Sequence, residues 1–325
     1  MTAWWTGLLV LAVLLVNGWT DAPNAIAAVV STQTLSFRKA VLLASLFDFL
    51  GAVVMCLFCP LVAETVYALA DFGSDPAVAL TTLQAALLAI VLWAVLAWRF
   101  GIPTSESHAL LAGITGACVA LHGNFSGVNG SAWGKVLVGL VLSTALGAFA
   151  GRWTADRLAG LDLSPRVIRR GQIAGAALTA FFHGAQDGQK FIALFLLCQT
   201  LAAGQTARVF LVSLPVAALC AGCMALGTAI GGRRIIDTLS RGLPGLTPSA
   251  GLAADLASGG CLLLASLLGL PVSTTHTKVS ALWGAGTVQR SRRSEASSIK
   301  EIIFTWAATF PGCFLLAWAF ARIML

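Results

Sequence analysis

Charged side chains are scarce in this sequence. Only 10% of its 325 residues are Asp, Glu, Lys or Arg, whereas 58% are hydrophobic, and the mean hydropathy is +0.88. A soluble globular domain carries about 25% charged residues, because it needs them to cover a surface that faces water. The composition therefore excludes a compact soluble domain and predicts an all-α polytopic membrane protein, in contact with membrane lipid.

Features of other protein classes are also missing. The first apolar run, 3–16, continues into a polar motif instead of a small-residue cleavage site, so we expect a retained span. The eight cysteines lie in apolar surroundings and indicate no disulfide framework. The net charge of +7 comes from basic residues in short loops, which favours membrane orientation over a nucleic-acid partner.

Ten apolar runs have the length of a helix that crosses a membrane, on the rule that about 20 residues span the hydrocarbon. They cover 3–34, 40–63, 79–98, 103–121, 133–151, 172–198, 207–231, 251–269, 271–287 and 302–323. The fourth and the ninth begin with a proline and a series of hydroxyl residues, which makes them candidates for re-entrant segments.

The charges of the loops predict an orientation. If the ten runs alternate in direction, fifteen of the 20 Lys and Arg residues fall on one side, and the acidic loop with Glu64, Asp71 and Asp75 falls on the other. Cytoplasmic loops carry an excess of Lys and Arg. We therefore expect a multi-pass protein of the plasma (inner) membrane with both termini outside.

Two motifs occur twice, in the same order and at nearly the same offset. Segments 17–24 (NGWTDAPN) and 183–190 (HGAQDGQK) each place an aspartate in an apolar run, and the two aspartates are 166 residues apart. Segments 103–108 (PTSESH) and 271–276 (PVSTTH) open two further runs, with their prolines 168 apart. This pattern predicts a duplication, although two unrelated pairs of helix breaks would also produce it.

An odd number of crossings in each half would place the two copies in opposite orientations. We therefore predict two inverted-topology repeats of about five segments each, 1–151 and 172–325, joined by a basic cytoplasmic linker, 152–171. Both aspartate motifs should interrupt their helices, and the broken or re-entrant helices of the two halves should meet near the midplane of the membrane.

The aspartates Asp21 and Asp187 are predicted to lie deep in the bilayer. A buried acid is unfavourable unless it is protonated or paired, and intramembrane carboxylates tend to mark ion or proton pathways. Asn17 and Asn24 are candidates to supply amide oxygens to a hard cation beside Asp21. Structural alternatives are carboxylates that cap a broken helix and asparagines that only break it.

The two proline motifs predict an anion site. Pro103 and Pro271 fit the first turn of a helix, where the missing N–H is harmless. Free backbone N–H groups and the helix dipole favour an anion there, and ordinary N-capping is the alternative. The hydroxyl candidates are Thr104, Ser105, Ser107, Ser273, Thr274 and Thr275.

Three histidines are further candidates. His108 and His276 occupy matching positions one turn into the two helices, and His183 opens the second aspartate motif. Each could donate to an anion or carry a proton, or could simply hydrogen-bond across a helix interface. Two Cys-x-x-Cys pairs, at Cys56 and Cys220, also recur 164 residues apart, and we interpret them as small packing residues.

Together these motifs resemble those of the inorganic phosphate transporter (PiT) family, and the likeness extends over both halves of the chain. The resemblance implies phosphate as the substrate and sodium or protons as the driving ion, with no enzymatic activity. It assigns the cation to Asp21, Asn24 and Asp187, with a possible sodium site at Asp21 and Asn24. It assigns the anion to Ser105, Ser273, Thr274 and Thr275.

Three departures from the family pattern affect these assignments. The usual Asn-Asp pair is Thr20-Asp21 in one copy and Gln186-Asp187 in the other. Lys190 stands where sodium-coupled members tend to have Asn; its ammonium would face Asp187 one turn away, so it can replace a metal ion and also belongs among the anion-binding candidates. This favours coupling to protons.

Glu106 is the third departure, since a carboxylate beside a bound anion would repel it. It must be protonated during binding, pair with Lys190 or Lys278, or point away, and the first option would make it a proton-coupling residue.

We therefore predict a secondary active symporter of inorganic phosphate, coupled to protons or sodium, that works by alternating access and forms a possible homodimer. A sulfate or other oxyanion permease on the same scaffold is the main alternative. A passive channel and, more remotely, an intramembrane aspartyl hydrolase with two acids that share a proton are the others.

Overall fold

The computed structural model describes residues 2–101, 104–204, 212–242, 245–288 and 296–325, and this part of the chain is helical and contains no β-strand. Pro103 lies outside the described residues. The helices are α1 (Thr2–Thr20), α2 (Pro23–Ser31), α3 (Phe37–Phe58), α4 (Leu61–Tyr67), α5 (Pro76–Phe100), α6 (Glu106–His122), α7 (Gly130–Ala159), α8 (Pro165–Ala202), α9 (Leu214–Ile230), α10 (Arg233–Gly242), α11 (Pro248–Leu267), α12 (Thr274–Val288) and α13 (Ala296–Met324).

The ten predicted runs correspond to these helices, with α1 and α2 sharing the first, while the short helices α4 and α10 were not predicted. Among the described residues, six stretches are long and apolar enough to cross a membrane: Thr2–Ser31, Phe37–Phe58, Pro76–Phe100, Gly130–Ala159, Pro248–Leu267 and Phe304–Met324. Large apolar side chains face outward from them, such as Phe58 (82% exposed) and Phe149 (68%), as expected of surfaces in lipid. The prediction of a polytopic all-α membrane protein is confirmed.

The first aspartate motif interrupts its helix, but the second does not. Asp21 and Ala22 separate α1 from α2, because Pro23 has no N–H to continue the ladder of hydrogen bonds. In contrast, α8 runs unbroken through 183–190, so our prediction of a matching interruption was wrong. That segment contains two glycines but no proline, and both glycines remain helical.

The starts of α6 and α12 also differ from the prediction. The helices begin at Glu106 and Thr274, so Pro271 lies three residues before its helix and not in its first turn. The side chains of the preceding serines set these starts. Ser105 Oγ accepts a hydrogen bond from the backbone N–H of His108 at 3.3 Å, and Ser273 Oγ accepts one from that of His276 at 3.1 Å.

The predicted linker, 152–171, is largely helical. It consists of the end of α7, the five residues 160–164 and the beginning of α8, where Ser164 caps the helix by accepting from the backbone N–H of Val167 at 3.4 Å.

Glycines allow four helices to pack with their backbones in contact. A β-carbon on Gly18 of α1 would overlap the carbonyl oxygen of Met224 on α9, and one on Gly184 of α8 would overlap that of Asp48 on α3. Since α3 also packs against α9, helices α1, α3, α8 and α9 form one closely packed group, which we call the aspartate group.

A second group is built in the same way. A β-carbon on Gly116 of α6 would overlap the carbonyl oxygen of Phe314 on α13, and one on Gly284 of α12 would overlap that of Ala148 on α7. Helices α6, α7, α12 and α13 form the group that contains the two serine-capped helix starts, which we call the serine group. Helices α5 and α11 pack against both groups.

The two ends of the helix bundle differ in charge. At one end, Arg234 donates to the carbonyl oxygen of Arg99 at 3.3 Å, and Arg169 donates to that of Thr34 at 3.4 Å. At the other end, the backbone carbonyl of Asp71 contacts His122 Nε2 at 2.9 Å. Three of the basic loops therefore lie together at one end, away from the acidic loop.

Candidate functional site

The two serine-capped helix starts meet in the centre of the bundle. Ser105 Oγ and Ser273 Oγ are 2.8 Å apart and hydrogen-bonded, and both side chains are fully buried. The first residues of α6 and α12 therefore share one location, although the two serines are 168 residues apart in sequence. This juxtaposition was the main geometric expectation from the repeated proline motifs.

Asp21 lies beside these helix starts, in the non-helical link between α1 and α2. Its Oδ1 accepts hydrogen bonds from Thr275 Oγ1 and, at 2.5 Å, from Asn24 Nδ2, while its Oδ2 accepts one from Thr274 Oγ1 at 3.2 Å. The break in the helix thus brings the carboxylate to the first turn of α12. All three hydrogen-bond partners are neutral.

Asp187 lies on α8, next to Asp21, and has a cationic partner. Lys190 donates to its Oδ1 at 2.7 Å, as predicted from the spacing of one turn. The same ammonium group donates to Ser107 Oγ at 2.7 Å and to the carbonyl oxygen of Val272 at 2.6 Å. Lys190 is fully buried, and its three N–H donors all have partners.

Each half of the chain supplies an equivalent set of contacts. Asn24 Nδ2 donates to Thr275 Oγ1 at 2.9 Å, and Lys190, 166 residues later, donates to Ser107, which matches Thr275 in the other helix start. Asn17 Nδ2 donates to Asp187 Oδ2 at 3.2 Å. An amide in the first half therefore occupies the position that an ammonium occupies in the second.

Glu106 is buried at the first position of α6, and its Oε1 accepts a hydrogen bond from Thr20 Oγ1 at 3.2 Å. Lys190 pairs with Asp187, and Lys278 pairs with Asp255 on α11. The predicted option of an ion pair between Glu106 and either lysine was therefore wrong, because each ammonium has a closer carboxylate. Within the described parts of the chain, Glu106 takes part in no ion pair.

His183 connects the two aspartates to a third acid that sequence analysis missed. Its Nδ1 is 3.0 Å from Asp48 Oδ1 on α3, and Asp48 Oδ2 accepts from Thr228 Oγ1 at 2.8 Å. Its Nε2 lies 3.4 Å from Asp187 Oδ2 and 4.0 Å from Asp21 Oδ2. The signal was available, since Asp48 is an isolated acid in the apolar run 40–63.

The histidines His108 and His276 stack on each other behind the two serines. Their ring centroids are 4.4 Å apart at an interplanar angle of 78°, and His276 also stacks on Trp306 of α13 at 3.6 Å. They meet through their rings, not through the hydrogen bond that was the alternative interpretation. Thr104 points toward α13, where its hydroxyl accepts from Thr309 Oγ1 at 3.4 Å.

The arrangement has the donors for a cation next to the donors for an anion. Oxygen or nitrogen atoms of Asp21, His183 and Asp187 lie within 4.8 Å of one another. In the described structure, the amide oxygens of Asn17 and Asn24 are buried without a hydrogen-bond partner, and carboxylate and amide oxygens suit a hard cation. The hydroxyls of Ser105, Ser273, Thr274 and Thr275 face these groups from two helix N-termini, which suit an anion.

Comparisons with known proteins agree with this geometry. The chain is 32% identical over 94% of its length to a probable low-affinity inorganic phosphate transporter of Bacillus subtilis, and it covers 94% of that protein. It is 33% identical to a protein of the same description from Rhizobium meliloti, with 93% of this chain and 90% of the relative covered.

A solved structure described as the sodium-dependent phosphate transporter has the same fold. The TM-score is 0.87 at 20% sequence identity, and the match covers 99% of this chain and 98% of the other. A model of the phosphate transporter family matches residues 17–158 and 155–317, which include both aspartates and both serines of the central site. The chain therefore belongs to the phosphate transporter family.

Proposed function

We propose that this protein is a secondary active transporter that carries inorganic phosphate across the membrane by alternating access, together with a proton or a sodium ion. The observation that carries the proposal is the meeting of the two serine-capped helix starts at Ser105 and Ser273, next to Asp21 and Asp187. The curated relatives are named as phosphate transporters, which supports phosphate as the anion and a transporter over an intramembrane hydrolase.

The anion would bind between the two helix starts. Phosphate would replace the hydrogen bond between Ser105 and Ser273, and would accept hydrogen bonds from their hydroxyls and from Thr274 and Thr275. Backbone N–H groups at both helix N-termini would add further donors, and the two dipoles would oppose the negative charge. Ser107 and Lys190, which are hydrogen-bonded to each other, form the edge of this site. Thr104, His108 and His276 remain predicted participants without a contact to these hydroxyls.

The coupling cation would bind in the first half. Asp21 has neutral partners, and the amide oxygens of Asn17 and Asn24 point at no donor within the described residues. In the second half, the ammonium of Lys190 already neutralises Asp187. We therefore expect one coupling ion per cycle, a proton or a sodium ion at Asp21, instead of one in each half.

The packing of the helices supports an inverted repeat. If α1 with α2, α3, α5, α6 and α7 are exchanged for α8, α9, α11, α12 and α13, the close pairs exchange as well: α1 with α9 becomes α8 with α3, and α6 with α13 becomes α12 with α7. Five segments per half would invert the second repeat. We propose 1–151 and 172–325 as the two repeats, with α6 and α12 starting near the midplane.

The basic end of the bundle is proposed to face the cytoplasm, which places both termini outside the plasma membrane. A homodimer stays a prediction.

Uptake of labelled phosphate into proteoliposomes tests the proposal. Accumulation should require an imposed gradient of protons or sodium, and a tenfold excess of unlabelled sulfate should not compete. The double variant Ser105→Ala/Ser273→Ala should lose phosphate binding, whereas Ser143→Ala, a buried serine of α7 that donates to Leu140 O, should behave like the wild type. Equal uptake of sulfate and phosphate would favour a general oxyanion permease, and flux that never exceeds equilibrium would indicate a channel.

A further inference from the structure

A second buried lysine lies one helical turn from the central site. Lys278 follows Thr274 by four residues on α12, so the two side chains lie on the same face, about 5.4 Å apart along the helix axis. Lys278 is 1% exposed and pairs with Asp255, which is fully buried on α11. The central site described above does not use this ion pair.

The hydrogen bonds of this pair are incomplete. An ammonium group has three N–H donors, and among the described residues Lys278 has one partner, Asp255 Oδ1. The other carboxylate oxygen, Asp255 Oδ2, is buried without a hydrogen-bond partner in the described structure. Lys190 is different, because it has three partners. Unused buried donors are unfavourable, so a structural ion pair alone is a poor explanation of Lys278.

The other half of the chain shows that the fold does not need a charge at this place. The offset of 168 residues that relates Ser105 to Ser273 also relates Leu110 to Lys278, and Leu110 is fully buried in the apolar core. Replacing a buried ion pair by apolar residues is often neutral or stabilising. The charge therefore belongs to one side of the central site only.

That side leads to the basic end of the bundle through buried polar residues. Thr179 of α8 donates to the carbonyl oxygen of Asp255 at 3.1 Å. One turn before Asp255 on α11, Gly251 lies against Gln172, whose Oε1 accepts from Thr34 Oγ1 at 2.5 Å. Arg169 donates to the carbonyl oxygen of Thr34. Polar groups thus continue from the central site, past Lys278, to the surface that carries the basic loops.

We propose that Lys278 is a second, transient binding site for the transported oxyanion, between the central site and the basic end. An anion that leaves Ser273 and Thr274 on this side would meet Lys278 next and take the place of Asp255 as the partner of the ammonium. Asp255 would then compete with the anion and release it again. This inference rests on the proposed function, since it assumes that phosphate passes through the central site.

The two members of the pair therefore have opposite predicted effects on phosphate flux from the basic side. Removal of the ammonium in Lys278→Met should raise the KM for phosphate at least tenfold on that side. Removal of the competing carboxylate in Asp255→Asn should lower both the KM and the turnover, because the anion would leave Lys278 slowly. Flux from the opposite side should keep its KM in both variants.

The assay is counterflow of labelled inorganic phosphate in vesicles, with the KM measured separately from each face. Asp255→Leu/Lys278→Leu, which copies the apolar residue of the other half, is the second variant if Lys278→Met does not fold; it should melt within a few degrees of the wild type and raise the KM like Lys278→Met. Equal KM shifts in the two single variants, or wild-type kinetics in the double variant, would overturn the inference. If the wild type carries no phosphate, the proposed function fails instead.

Discussion

Lys190 is predicted to act as a tethered cation, and its replacement by asparagine tests this directly. Lys190→Asn copies Asn24, which occupies the equivalent position in the first half. The substitution removes the positive charge from a fully buried pair with Asp187 and also removes the bonds to Ser107 and Val272. Removing one partner of a buried ion pair costs about 3–5 kcal/mol, so the variant should be strongly destabilised in a medium without sodium.

Sodium should reverse a large part of this loss. If the new asparagine and Asp187 bind a sodium ion, a concentration of 100 times the Kd would restore about 2.7 kcal/mol. The measurement is thermal unfolding in detergent, in sodium chloride and in potassium chloride at equal ionic strength. Phosphate uptake by the variant should also require one more sodium ion per cycle than uptake by the wild type.

Lys278→Asn provides a matched control. It also removes a buried lysine from a carboxylate, but no asparagine or second aspartate is hydrogen-bonded to that pair in the described structure. Sodium should not restore its stability. If Lys190→Asn melts at the same temperature in sodium and in potassium, the ammonium does not occupy a cation site and the reasoning is refuted.

Three further predictions concern the helix contacts and the central site. Gly184→Ala should disrupt the contact between α8 and α3 and abolish folding, whereas Gly222→Ala, which has open space at its β-carbon, should fold normally in size-exclusion chromatography. Ser105→Cys/Ser273→Cys should form an oxidisable crosslink because the two hydroxyls are 2.8 Å apart, and transport should stop on oxidation and return on reduction; no crosslink in peptide mass spectra would contradict the geometry. Glu106→Gln should bind phosphate but lose the dependence of uptake on a pH gradient, because an amide cannot release a proton; an unchanged dependence would remove Glu106 from coupling.

The central site was predictable because its residues come from duplicated motifs. Equal offsets for the aspartates and for the serines imply that whatever one copy contacts, the other contacts in the same way. The pairing of Lys190 with Asp187 followed from helical spacing alone. Local rules and symmetry together were sufficient for these contacts.

Other features depend on packing that the sequence does not express. His183 pairs with Asp48, and Lys278 pairs with Asp255, because helices that are far apart in sequence happen to be neighbours. The continuity of α8 was missed because its glycines were interpreted as breaks, although Gly184 makes close contact between helices.

The recurrence of the Cys-x-x-Cys pairs suggested a wrong alignment of α3 with α9. Cys56 and Cys220 are 164 residues apart, but the positions that pack on equivalent turns of α8 and α1 are Gly51 and Gly227, which are 176 apart. Small residues recur by chance in apolar helices, so they align the halves less reliably than charged residues do.

The aspartate group and the serine group differ from the boundary between them in how they can deform. Inside each group, glycines put backbone against backbone, and no sliding is possible without steric overlap. Across the boundary, Asp21 and Asp187 reach Thr274 through side-chain hydrogen bonds, which exchange partners readily. Rearrangement is therefore confined to the surface on which the ions would sit, so that loading and unloading them would directly change how strongly the two rigid bodies adhere.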